Sequence, residues 1–206
     1  MNSALDSFSP RDFLRSRRAV LVHFSTDMSG HPELVFPNDL RQAIDLTGTP
    51  LSFSTIQPGD SNPYGNERGG AGGSIGLLID IGPETTIQSV HWTDSGSNEM
   101  GSLGHPPTAE SCANSIDRRR DRDSNEWRVQ DYVPVGIFIF DPIYVRQIRN
   151  LGGVATPVPT QASLQEAITP FPKQRIFSAT QQDFIELERA STDWRPIEYD
   201  KIFHRA

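Results

Sequence analysis

The chain has 206 residues, 35% of them hydrophobic and 9% aromatic, which is enough to bury one full-sized core but short for two independent ones. A formal charge of -7 gives no global attraction to nucleic acid or anionic lipid, and the single cysteine, Cys112, excludes an internal disulfide framework and any cysteine-rich zinc site. No apolar run approaches the ~18 residues of a membrane-spanning helix, and the opening MNSALDSFSPRDFLRSRR lacks the apolar centre of a secretory signal, so the expectation is a soluble chain in a reducing, cytoplasmic compartment, away from membranes.

Glycine and proline number sixteen each, above their ordinary combined share of about 12%, so long loops are expected around a single domain spanning 1–206. In chain order, the first eighteen residues are polar and predict a short helix or a surface arm. Ala19 to Phe24 reads as a buried strand that ends in the polar run Ser25 to Gly30. Pro37-Asn38-Asp39, followed by Leu40, Ala43 and Ile44 at helical spacing, predicts a short helix ending before Gly48. Leu51 to Ile56 alternates and predicts a second strand. Gln57 to Ser74 is a loop by composition, and Ile75 to Ile81 and Thr86 to Trp92 predict the next two strands.

A Gly-rich polar stretch follows from Thr93 to Thr108, and a helix is expected to begin near Ala109. The charge run Asp117-Arg118-Arg119-Arg120-Asp121-Arg122-Asp123 precedes two strands, Glu126 to Val129 and Gly136 to Phe140. Pro142 to Leu151 predicts a helix with Val145 and Ile148 inward, and Gln181 to Ala190 predicts another. The sum is an α+β fold with at least five short strands.

Four familiar motifs do not hold. Gly69 to Gly76 is glycine-rich but precedes a strand, with neither dinucleotide spacing nor a Gly-Lys-Ser/Thr ending, so it reads as a loop. His91, Asp94, His105 and Cys112 are metal-ligand types without metal-site spacing, so no metal is expected. Ser25, Ser54 and Ser95 lie in no Gly-x-Ser-x-Gly elbow, and Cys112 has no nucleophile signature.

More informative is an ordered set of three separated segments: His23-Phe24-Ser25 ending the first strand, Phe53-Ser54-Thr55 in the second, and Glu126 opening a later strand just after the arginine cluster. The order resembles the ADP-ribosyltransferase superfamily. The run from Asp117 through Glu126-Trp127-Arg128-Val129 to Val133-Pro134 is similar to DarT-like toxins, and Trp92-Thr93-Asp94 resembles their Phe-Thr-Asp element. Phe53-Ser54-Thr55 is similar to the Ser-Thr-Ser element of arginine-type ADP-ribosyltransferases. The likeness covers roughly residues 19–150, leaving 151–206 as a C-terminal extension packed on an ADP-ribosyltransferase-like core.

The resemblance implies NAD as co-substrate, bound by His23, Ser25, Phe53, Ser54 and Thr55. It implies Glu126 as the catalytic carboxylate and Arg118, Arg119, Arg120 and Arg122 as contacts to a macromolecular acceptor, DNA, RNA or protein. By the same likeness an antitoxin or immunity partner is expected. Two departures stand out: Thr55-Ile56-Gln57-Pro58 lacks the arginine that DarT-like proteins place after the second strand, leaving Gln57 or Arg68 to substitute, and Ser124 stands where arginine-type enzymes carry Glu or Gln. The alternative is a non-catalytic interaction domain in which His23 and Glu126 are structural.

Overall fold

The computed structural model describes residues 8–25, 35–60, 73–92, 105–117, 125–141, 145–149 and 158–204. The polar arm is helix α1 (Pro10–Ser16): Pro10 occupies its first turn, the Ser9 hydroxyl accepts the Asp12 amide at 3.2 Å, and Leu14 is buried. Strand β1 (Val20–Phe24) leads to α2 (Asn38–Asp45), which buries Leu40 and Ala43. Then come β2 (Leu51–Ile56), β3 (Ile75–Asp80), β4 (Thr86–His91), α3 (Ala109–Asp117), β5 (Glu126–Gln130) and β6 (Val133–Ile139). The chain continues through β7 (Val145–Arg149), β8 (Val158–Ala162), α4 (Leu164–Ile168), β9 (Arg175–Ala179), β10 (Phe184–Glu188), β11 (Asp193–Pro196) and α5 (Tyr199–Ile202). No helix among the described residues is long and apolar enough to cross a membrane.

Nine strands form one mixed sheet in the order β11-β10-β9-β6-β3-β1-β2-β5-β4, and β7 and β8 form a hairpin of their own. The fold is therefore α+β. Neighbours pair antiparallel except β6 with β9, which are parallel and joined through the β7–β8 hairpin and α4, as a parallel pair requires a crossover.

The two faces of this sheet bury different cores, and the alternation of side chains along each strand assigns residues to them. Leu21 of β1, Leu77 and Ile79 of β3, Ile137 and Ile139 of β6, and Ile176 of β9 point to the larger core, which helices α1 to α4 cover with Leu14, Leu40, Cys112, Ile116, Ala167 and Ile168. Val20, Val22 and Phe24, Leu78, Phe138 and Phe177 point to the second core, closed by Ile202 of α5. β1 and β3 are buried on both faces, which is why they read as continuous apolar runs rather than as alternation.

Two predicted helices are strands. Pro142 to Leu151 contains β7, paired in register from Val145–Ala162 to Arg149–Val158, a partner that local periodicity does not reveal. Gln181 to Ala190 contains β10, where Phe184 and Leu187 imitate a helical i, i+3 pair. On a strand, residues an odd number apart face opposite ways, and Phe184 enters the second core while Leu187 enters the first. Residues 175–196 extend the main sheet itself through the β6–β9 pairing, so this part of the C-terminal third is continuous with the core sheet.

Candidate functional site

β1, β2, β5 and β4 are consecutive in the sheet, so segments far apart in sequence become neighbours. β1 pairs with β2 from Val20–Ile56 to Val22–Ser54; β2 pairs with β5 through Leu51–Val129, Ser52–Arg128 and Phe53–Trp127; β5 pairs with β4 up to Glu126–His91. Directly paired residues share a face. Ser52, Ser54, Glu126, Arg128 and His91 thus lie on one face of this end of the sheet, and His23, Phe53, Asn125 and Trp127 on the other.

What fixes Glu126 is the pair of residues beside it. The Asn125 side chain accepts the Thr55 amide at 2.8 Å and donates to the Thr55 hydroxyl at 2.5 Å and to the Ser115 carbonyl of α3 at 2.9 Å. The Trp127 indole N–H donates to the Ser115 hydroxyl at 3.0 Å. Both residues anchor on the larger core and α3, so the period-two alternation of the strand turns Glu126 to the opposite face. There Glu126 is 6% exposed and its carboxylate accepts the hydroxyl of Ser52.

His23 sits one residue past the last β1–β2 pair, half-buried, its ring 5.7 Å from that of Phe53. Its Nδ1 lies 2.8 Å from the Ser52 carbonyl. A carbonyl only accepts, so Nδ1 carries the proton and Nε2 keeps a lone pair. Burial holds the imidazole below its ordinary value, with the bond to Ser52 opposing it, so the ring is neutral at pH 7. His23 and Glu126 therefore do not meet face to face. Ser52 joins them, through its carbonyl to the histidine and through its hydroxyl to the carboxylate.

The other expected contacts are committed elsewhere. The Ser25 hydroxyl, fully buried, donates to Asp39 Oδ2 of α2 at 2.5 Å, and its amide donates to the Ile75 carbonyl, which clamps the end of β1. Phe53 is core, edge-on to Tyr132 at 5.0 Å. Ser54 donates to the Asn125 carbonyl at 3.1 Å, and Thr55 is held by the Asn125 side chain. Gln57 donates through Nε2 to the Arg17 carbonyl at 2.5 Å. Arg68, Thr93, Asp94, Arg118, Arg119, Arg120 and Arg122 lie outside the described residues.

Ser52 is the residue that sequence reasoning missed. Ser52 and Ser54 lie on the same face of β2, and only the register against β5 decides which reaches Glu126; the Ser-x-Ser spacing was the available signal. In sequence His91 offers only a metal-ligand type without metal-site spacing, whereas in the fold it stands directly across β4–β5 from Glu126. Burial lowers its pKa, the Glu126 charge raises it, and His105 lowers it, for a net downward shift. Among the described residues, no group of three or more His, Cys, Asp and Glu side chains could hold a metal ion. No family model, curated protein or solved structure matches the chain.

Two expectations follow from these buried groups. A histidine whose folded pKa lies below its unfolded value of 6.5 contributes stability that is present above that value and lost as pH falls through the folded one. The melting temperature should fall as pH is lowered from 7 toward about 5, and His23→Gln should make that slope shallower; identical slopes would contradict the assignment. Cys112 is fully buried, and burial pushes its thiol up to about 12. An aromatic disulfide reagent should therefore leave it unmodified at pH 8 until denaturant unfolds the chain, when one thiol per chain reacts.

Proposed function

We propose that the protein is an NAD-dependent ADP-ribosyltransferase of toxin or effector type, transferring ADP-ribose to a macromolecular acceptor with release of nicotinamide. The observation that carries this reading is the meeting of three distant segments at Ser52, where a neutral histidine on β1 and a buried carboxylate at the head of β5 share one serine. Breaking the bond between ribose C1′ and the nicotinamide nitrogen builds positive charge on the sugar. A carboxylate held against that ribose stabilises the charge as it does in glycoside hydrolysis.

In this reading Glu126 faces the ribose, and Ser52 fixes the carboxylate so that little reorganisation accompanies the reaction. His23, on the opposite face of the sheet, acts on this carboxylate through Ser52, whose carbonyl accepts its Nδ1 proton. The arginine cluster before Glu126 would contact a nucleic-acid or protein acceptor, and a chain that arrests its host would require a neutralising partner in the cytoplasm.

The second reading, a non-catalytic interaction domain, is favoured by a different observation: Ser25, Phe53, Ser54 and Thr55 are all occupied by structural contacts. Isothermal titration with NAD and chromatographic detection of nicotinamide separate the two, with and without added DNA and RNA. The enzyme binds NAD and releases nicotinamide, and its expression arrests bacterial growth unless Glu126 is replaced by Ala. A protein that does neither is the interaction domain.

A further inference from the structure

His91 differs from His23 in a way that points to chemistry. His23 spends Nδ1 on a backbone carbonyl. His91 is only 8% exposed, yet among the described residues its ring forms no hydrogen bond. It is the direct cross-strand partner of Glu126 and shares its face of the sheet. Its strand is fixed from both sides. α3 packs on β4 with Cys112 in the same core as Val90, and the Val90 and His105 backbones exchange hydrogen bonds of 2.9 and 3.2 Å. The His105 ring lies 6.2 Å from that of His91 and stacks on Trp92 at 4.8 Å.

Resting on the function proposed above, we infer that His91 is the base that deprotonates the attacking acceptor, while Glu126 stabilises the ribose cation. The acceptor oxygen or nitrogen forms a bond to ribose C1′, and the C1′–nicotinamide bond breaks with its electron pair passing to the pyridine nitrogen. The acceptor's proton goes to the unbonded ring nitrogen of His91. The imidazolium so formed faces the Glu126 carboxylate, which stabilises it, and then loses its proton to water. Among the described residues, the charged and titratable groups facing His91 are Glu126 from β5 and His105 from the bridging segment; exposed Arg128 lies further along β5, opposite Ser89. Burial keeps His91 neutral at pH 7 and able to accept.

The test uses the full chain, NAD with water as acceptor, and sodium azide as a nucleophile that has no proton to lose. His91→Ala should lower conversion of NAD to ADP-ribose about 10²-fold at neutral pH, the usual scale for losing a general base. Azide should restore turnover with ADP-ribosyl azide as product, and His91→Gln should behave in the same way should the alanine variant fold poorly. Glu126→Gln should not be restored. Wild-type hydrolysis by both His91 variants, or folded variants that azide leaves inactive, would overturn the role of His91 alone. A wild-type protein that does not cleave NAD, or a Glu126→Gln variant that cleaves it at the wild-type rate, would overturn the underlying reading instead.

Discussion

Glu126→Gln is expected to lower nicotinamide release from NAD at least ~10²-fold in kcat while leaving the melting temperature nearly unchanged. The amide has the size of the carboxylate, and its carbonyl oxygen can still accept the Ser52 hydroxyl, so the packing of the side chain and its bond to Ser52 persist. What disappears is the negative charge that opposes the developing ribose cation. Ser52→Ala, which leaves the charge but removes the group that holds it, should cost less than Glu126→Gln. A folded Glu126→Gln variant with wild-type turnover would show that this carboxylate serves the fold rather than the reaction.

Trp127→Ala should be the most destabilising of the substitutions considered, by about 3–5 kcal/mol. The side chain is completely buried in the larger core, opposite Phe53 of β2 and Val90 of β4, and its indole N–H ties β5 to Ser115 of α3. Alanine leaves a cavity bounded by three elements at once. Against a typical total stability of about 5–15 kcal/mol, the loss is a large fraction, visible as a lower urea midpoint with an unchanged slope. Trp127→Phe keeps most of the buried area and loses one hydrogen bond, so its midpoint should fall between the two. A Trp127→Ala midpoint within error of wild type would contradict the packing described.

The contrast between these neighbours explains what could be read from the chain alone. Strands β1 to β6 are legible because their apolar runs are bounded by Gly, Pro and polar clusters, and α2 because Asn38 and Asp39 precede an apolar stripe. β7 and β10 are not, because their short apolar spacings fit either period until a distant partner strand decides. The candidate site divides in the same way. Residue order and chemical type single out His23 and Glu126, but the choice of Ser52 over Ser54, the anchoring of Asn125 and the apposition of His91 all depend on strand register, a property of pairs rather than of either segment.

The two rims of the large sheet are both poor templates for growth. At one rim β11 has only four residues, ends in Pro196 without an amide to donate, and carries Asp193 and Arg195. At the other, the β4 ladder is interrupted by an irregularity between Ile87 and Ser89, and beyond it Val90 is already capped by His105. A stray extended peptide therefore finds no long, flat border to zip onto, so this wide sheet should resist end-to-end polymerisation even in a crowded solution.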